Sequence, residues 1–260
     1  MTEAGAAAAQ AADVAAALTR VRERIERAAR QSGRDPASVR LVAVSKRQPV
    51  DKIRAASALG QHDFGENYAQ ELLGKQRELA DLADLRWHMI GALQRNKVAG
   101  LAGTISAVHS VGSLRLIEEL GKRAAAQPVP EGRRLLGSGA LAVFLEVNLG
   151  AEPQKAGCTP EELPALIAAV LAQPSLSLRG LMAIPAVGEP PGTDPAGGAV
   201  REPAARAREQ FEALAALRER HGGVARLPEL SIGMSADLEV AVACGSSWVR
   251  VGTDIFGARA

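Results

Sequence analysis

The sequence predicts an α/β fold closed into a single (β/α)8 barrel, a TIM barrel, with an extra helix at its N-terminal side. Three observations predict it. The length, 260 residues, is close to the roughly 250 that such a barrel takes. Short apolar runs alternate with helix-patterned stretches from Leu41 to Val251. The runs are near-continuously apolar, as strands of a parallel sheet covered on both faces must be. A doubly wound open sheet is the alternative. It would show a Gly-rich turn after the first strand, and Ser45-Lys46-Arg47 is not one.

The elements follow in order. Residues 1–11 read as a disordered tail, and 12–260 as one domain. Val14, Leu18, Val21 and Ile25 recur at helical spacing among Arg20, Arg22, Glu23 and Arg24, giving the leading amphipathic helix. Leu41–Ser45 is the first strand and Val50–Leu59 its helix. His62–Gly65 and Asn67–Leu82 form the second unit, Arg86–Ile90 and Asn96–Leu101 the third, Ala107–Val111 and Ser113–Ala126 the fourth. A Pro/Gly-rich loop, Gln127–Gly139, leads to strand five, Leu141–Asn148, and the helix Pro160–Ala172. Leu178–Ile184 is strand six; Ala186–Glu202 is Pro- and Gly-rich and is expected to be mobile. The helix Pro203–His221, strand seven at Glu229–Ile232, the helix Ala236–Cys244 and strand eight at Trp248–Val251 complete the count.

Composition excludes several classes. Hydrophobic residues are 47% but aromatics only 3%, so the core is built from Ala, Val, Leu and Ile. A net charge of +2, from 31 basic and 29 acidic residues, carries no electrostatic footprint for nucleic acid. Cys158 and Cys244 have no ligand-like spacing and suggest no disulfide framework, which suits a reducing cytoplasm. His62, His88, His109 and His221 form no metal-ligand cluster in sequence. The Ala-rich start lacks the basic region of a signal peptide, and no run approaches the length of a membrane span. No large exposed apolar face is evident, so a monomer is expected.

In such a barrel the active face lies at the C-terminal ends of the strands. Lys46 ends strand one, where low-dielectric surroundings would favour its neutral, nucleophilic amine; the alternative is a lysine snorkelling from a strand end. Ser231-Ile232-Gly233-Met234-Ser235 leads into a helix, with Ser235 at its expected N-cap, and Arg250-Val251-Gly252-Thr253 closes strand eight. Barrel phosphate sites commonly sit after strands seven and eight, although an ordinary serine cap and an ordinary Gly turn would read the same. Asn67 either contacts a ligand or caps the next helix. His88, inside strand three, reads as a hydrogen-bonded core histidine rather than an acid or base.

These residues, taken in order, resemble the pyridoxal phosphate homeostasis protein family, whose fold is like the N-terminal barrel domain of alanine racemase. The landmarks are Ala43-Val44-Ser45-Lys46, Phe64-Gly65-Glu66-Asn67, Trp87-His88 through Asn96-Lys97, Glu146-Val147-Asn148, Lys155-Ala156-Gly157 and Gly180-Leu181-Met182, then Ser231 to Asp237 and Val249 to Gly257. The resemblance implies pyridoxal 5′-phosphate (PLP) as cofactor, held as a Schiff base on Lys46. It implies Ser235, Gly252 and Thr253 at the phosphate, Arg250 facing the pyridine nitrogen and Asn67 beside the ring, with Met234 also in the binding set. Lys155 is a candidate second lysine near the cofactor's entry path. The sequence departs from the family at Arg47-Gln48, where a Lys-Thr-like pair is usual, at Gly112, where Asp is common, and in the long loop Gly188–Arg201.

An arginine at the pyridine nitrogen cannot accept a proton there, so the ring is a poor electron sink. The expectation is therefore a carrier acting in PLP homeostasis rather than an enzyme, with PLP-dependent apoenzymes as possible recipients. The leading alternative is a PLP-dependent racemase or lyase; racemization needs a second acid/base, and Tyr68 is the one tyrosine in the chain. A Schiff-base aldolase using Lys46 and a ligand-free interaction barrel are the other two.

Overall fold

The computed structural model describes residues 3–135, 139–150, 156–185 and 203–258. Eight strands close into a barrel in the order β1 to β8. They are β1 Arg40–Val44, β2 Asp63–Glu66, β3 Arg86–Met89, β4 Ala107–Val111, β5 Leu141–Glu146, β6 Leu176–Met182, β7 Glu229–Ser231 and β8 Trp248–Val251. Every neighbouring pair is parallel, and β8 returns to β1 in the register Arg40↔Trp248 to Ala43↔Val251.

The leading helix α1 runs Glu3–Gln31. It is helical back to Glu3, through most of the expected tail 1–11, because this Ala-rich stretch has the highest intrinsic helix propensity. Val14, Leu18, Val21 and Ile25 are buried, so the apolar stripe does meet the barrel. The crossover helices are α2 Val50–Ser57, α3 Ala69–Glu78, α4 Arg95–Leu101, α5 Leu114–Ala126, α6 Leu163–Leu171 and α7 Pro203–Arg220, followed by α8 Gly223–Arg226, α9 Leu238–Ala243 and α10 Thr253–Phe256. The short α8 and α10 were not expected.

Apolar side chains split into two layers. The larger lies between strands and helices; a smaller one, including Val42, Phe144, Met182 and Trp248, fills the barrel interior. Buried polar side chains share the interior with it. Trp248 Nε1 donates to Glu229 (3.0 Å), Arg40 and Arg179 pair with the same carboxylate, and the Arg40 guanidinium lies 4.0 Å from the Trp248 ring centroid. No helix among the described residues is long and apolar enough to cross a membrane.

Candidate functional site at the barrel mouth

All seven residues expected to bind the cofactor line one cavity of about 280 Å³ at the C-terminal ends of the strands: Lys46, Asn67, Met234, Ser235, Arg250, Gly252 and Thr253. Val44, Gln48, Ile90, Ile184, Ala236 and Gly257 complete its wall. This is near the lower end of small-molecule clefts, which start at about 300 Å³.

Lys46 follows β1 on a turn closed by Gln48 N–H to Ser45 C=O, 3.0 Å. Arg47, the next residue, has φ +56°, a left-handed conformation that non-glycine residues seldom adopt. Its N–H is taken by the Glu71 carboxylate at 2.5 Å, which helps to hold the turn. Gln48 is buried and accepts from Lys52 Nζ at 2.9 Å. Of the two departures from the family pattern, Gln48 contributes through its side chain and Arg47 through its backbone N–H.

Beneath Lys46 lies a network that no sequence motif announces. Lys75, from α3, is buried and donates to Ser45 C=O (2.6 Å), Glu66 (2.7 Å) and Glu71 (2.6 Å). Ser45 Oγ donates to the same Glu66 oxygen at 2.7 Å. Burial pushes the Glu66 carboxyl above its ordinary value, and Lys75 and Ser45 partly oppose this. All three ammonium hydrogens of Lys75 are used in fixing the end of β1.

Arg250, on β8, is buried, and its Nη1 donates to Ser231 C=O (2.5 Å) and Oγ (2.8 Å), its Nη2 to Ala183 C=O (3.2 Å). Burial lowers its pKa to about 10, with Asp237 and Glu146 opposing, so it remains a cation at neutral pH. Both carboxyls are raised, chiefly by burial.

The turn after β7 differs from expectation. Ser235 is not the N-cap of α9. Asp237 Oδ1 accepts from Met234 N–H at 2.5 Å and closes a turn, so the helix starts only at Leu238. Gly233 has φ +99°, and a Cβ there would lie 2.6 Å from Ala241 Cβ. Asn67 does not cap α3 either, since the cap position is Tyr68. Instead Asn67 passes so close to Gly91 that a Cβ on Gly91 would lie 2.5 Å from the Asn67 carbonyl oxygen. The side chains of Asn67, Ser235 and Thr253 make no hydrogen bond to the described residues while lining the cavity.

Arg24, on α1, was also missed. It donates to Glu239 (2.8 and 3.0 Å), Asp254 (2.5 Å) and Ser235 C=O (2.9 Å). It therefore ties together the segments after β7 and β8. His88 is fully buried and bonded on both nitrogens, to His109 and Asp63, as a core histidine should be. The Gly112 departure has a steric basis, because a Cβ there would meet Gly157 Cα at 2.9 Å. Lys155 and the segment 186–202, expected to be mobile, lie outside the described residues.

A closed parallel barrel with a lysine after its first strand and an arginine on its last defines the class. Residues 16–260 match the family model described as alanine racemase, N-terminal domain. The chain is 45% identical over 247 residues to a pyridoxal phosphate homeostasis protein of Pseudomonas aeruginosa, covering 95% of this chain and 96% of that one. It is 40% identical over 249 residues to the Escherichia coli (strain K12) protein of the same name, covering 95% and 97%. Among solved structures it is similar to PipY of Synechococcus elongatus, described with PLP bound, at 38% identity and a TM-score of 0.68, covering 90% of this chain and 100% of that one. The chain belongs to the pyridoxal phosphate homeostasis protein family.

Proposed function

We propose that this protein binds PLP at the barrel mouth, captures it reversibly on Lys46 and serves PLP homeostasis in the cytoplasm as a monomeric carrier without turnover. When bound, PLP supplies an aldehyde that condenses with an amine. The side chains fit the group: a lysine amine, a cation, and hydroxyls of Ser235 and Thr253 that no described residue occupies. In this reading Ser235, Gly252 and Thr253 hold the phosphate, Arg250 meets the ring nitrogen, and Asn67 and Met234 flank the ring. PLP-dependent apoenzymes would be the recipients.

The observation that carries the absence of turnover is the composition of the wall. Among the described residues lining the cavity, Lys46 and Arg250 are the only titratable ones. A racemase or lyase needs a further group to move a proton on the substrate. Tyr68 is half exposed, lies outside the cavity wall, and its ring centroid is 5.9 Å from the Arg47 guanidinium.

The test is an absorption spectrum with added PLP, borohydride reduction and mapping of the modified peptide, in wild type and Lys46→Ala. A yellow, trappable adduct on Lys46, absent from the variant, is the expected result. Mapping of the adduct to another residue overturns the binding mode. Sustained inversion of a single amino-acid enantiomer by wild type, lost in Lys46→Ala, overturns the carrier reading.

A further inference from the structure

The barrel interior contains an unbroken chain of hydrogen-bonded side chains that starts at Arg250. Arg250 Nη1 donates to Ser231 Oγ at 2.8 Å, and Ser231 Oγ lies 2.7 Å from His109 Nδ1. His109 Nε2 is 2.9 Å from His88 Nδ1, and His88 Nε2 is 3.0 Å from Asp63 Oδ1. Arg86 grips Asp63 through both of its oxygens, at 2.7 and 2.6 Å. Ser231, His109 and His88 are completely buried. Arg250 lines the cavity at the mouth, whereas Asp63 lines a separate cavity of about 300 Å³ beside α1. The chain therefore joins two cavities through the barrel core.

The directions of these bonds follow from counting hydrogens. Asp63 is a carboxylate that can only accept, so His88 Nε2 carries a hydrogen. At the other end Arg250 can only donate, so Ser231 Oγ accepts from it. If Ser231 gives its own hydrogen to His109 Nδ1, then His109 donates from Nε2 to His88 Nδ1 and every hydrogen has an acceptor. In the reverse arrangement His109 also donates to Ser231, whose hydroxyl hydrogen then has no acceptor among the contacts of the described residues. A buried donor without an acceptor is costly. Burial, reinforced by His88 and Arg250, pushes His109 well below the ordinary histidine range, in keeping with a single ring hydrogen.

We propose that Ser231, His109, His88 and Asp63 are positioning residues that act through Arg250: the carboxylate beside the second cavity orients the whole chain, and the chain fixes the guanidinium that meets the ligand ring. None but Arg250 lines the mouth cavity. This rests on PLP binding at Lys46, and the experiment separates the two.

The first measurement needs no variant. Nitrogen-15 spectra of wild-type protein labelled at histidine should show His88 and His109 both as neutral Nε2–H tautomers; an Nδ1–H tautomer at His109 overturns the proposal. The second uses PLP-loaded Ser231→Ala, His109→Phe and Asp63→Leu. His109→Phe keeps the ring stacked on Phe144, 4.3 Å away between centroids. Each variant should still be trapped on Lys46 by borohydride, with a shifted visible band and a PLP Kd raised about three- to tenfold, the equivalent of one hydrogen bond. The effects of Ser231→Ala and His109→Phe should be less than additive, because either one breaks the same chain. A merely structural chain would lower melting temperatures and leave band and Kd at wild-type values, and that result overturns the proposal. Should a variant not fold, the wild-type tautomers and the remaining variants still decide it. If wild type itself is not trapped on Lys46, the binding reading fails and the tautomers alone judge the chain.

Discussion

Arg24→Ala tests whether the extra helix belongs to the site or merely covers the barrel. The substitution removes two bonds to Glu239, one to Asp254 and one to the Ser235 carbonyl. The Arg24 side chain is 25% exposed, but Glu239 and Asp254 are 49% and 35% exposed, so water and salt screen much of the attraction. An exposed ion pair contributes up to about 1 kcal/mol. A charged donor on a half-buried carbonyl contributes roughly 1.5 kcal/mol. Since the contacts share one guanidinium, about 2 kcal/mol in all is the expected loss. At roughly 2–4 °C per kcal/mol for a chain near this size, the melting temperature of the unliganded protein should fall by about 4–8 °C. High salt should narrow the gap to wild type. Because the carbonyl belongs to Ser235 and Asp254 follows Thr253, the PLP Kd should also rise, by about three- to tenfold. Thermal melts at low and high salt, with PLP titration, read both quantities. An unchanged melting temperature refutes the clamp. A lowered melting temperature with an unchanged Kd refutes its role in the site.

Three further outcomes are expected. Gly233→Ala forces a side chain onto a φ of +99° and into Ala241; it should cost about 1–3 kcal/mol by denaturant unfolding and weaken PLP binding, and a neutral result would mean the turn is more pliable than its geometry implies. Lys75→Met leaves Glu66 buried without its ammonium partner, at a cost of about 3–5 kcal/mol; Lys75→Met with Glu66→Gln should recover part of that, and a loss under about 1 kcal/mol in the single variant would contradict the network. The third concerns pH. Burial alone would raise the Asp63 carboxyl, but the bonds from Arg86 and His88 outweigh it and leave the group below its ordinary value. A lowered folded-state pKa adds stability above the unfolded value, near about 4, and that stability is lost as pH falls below it. The stability gap between wild type and Asp63→Asn should therefore close on acidification below about pH 4, and a gap that stays constant to lower pH refutes the assignment.

The barrel was legible because each strand is an apolar run and each helix follows it, a pattern that survives without knowledge of contacts. The site was legible because strand ends in such a fold face one mouth, so Lys46, Asn67, Ser235 and Arg250 were placed together by topology. What failed was local. A serine before an apolar run reads as a helix cap, but Asp237 takes the Met234 N–H and the helix starts at Leu238 rather than at Ala236. The interior chain was illegible for the opposite reason. His88 and His109 are 21 residues apart, and His109 and Ser231 are 122 apart. Only barrel closure brings them together, and histidines at such separations carry no motif. Arg24 gave no signal at all, being one of several arginines on a helix face.

Lys46 and Lys75 occupy different settings at one strand end. Lys75 is buried with three acceptors, the Ser45 carbonyl and two carboxylates, each within hydrogen-bond distance. Its ammonium hydrogens are committed to fixed acceptors in a low-dielectric setting, so its place is structural. Lys46, the residue after Ser45, lies half-buried on the wall of a cavity whose other titratable lining residue, among those described, is the cationic Arg250. No carboxylate or histidine among the described lining residues is placed to drive a subsequent proton transfer. On the proposed reading, a wall with no further proton-moving group among its described residues suits capture and release rather than turnover.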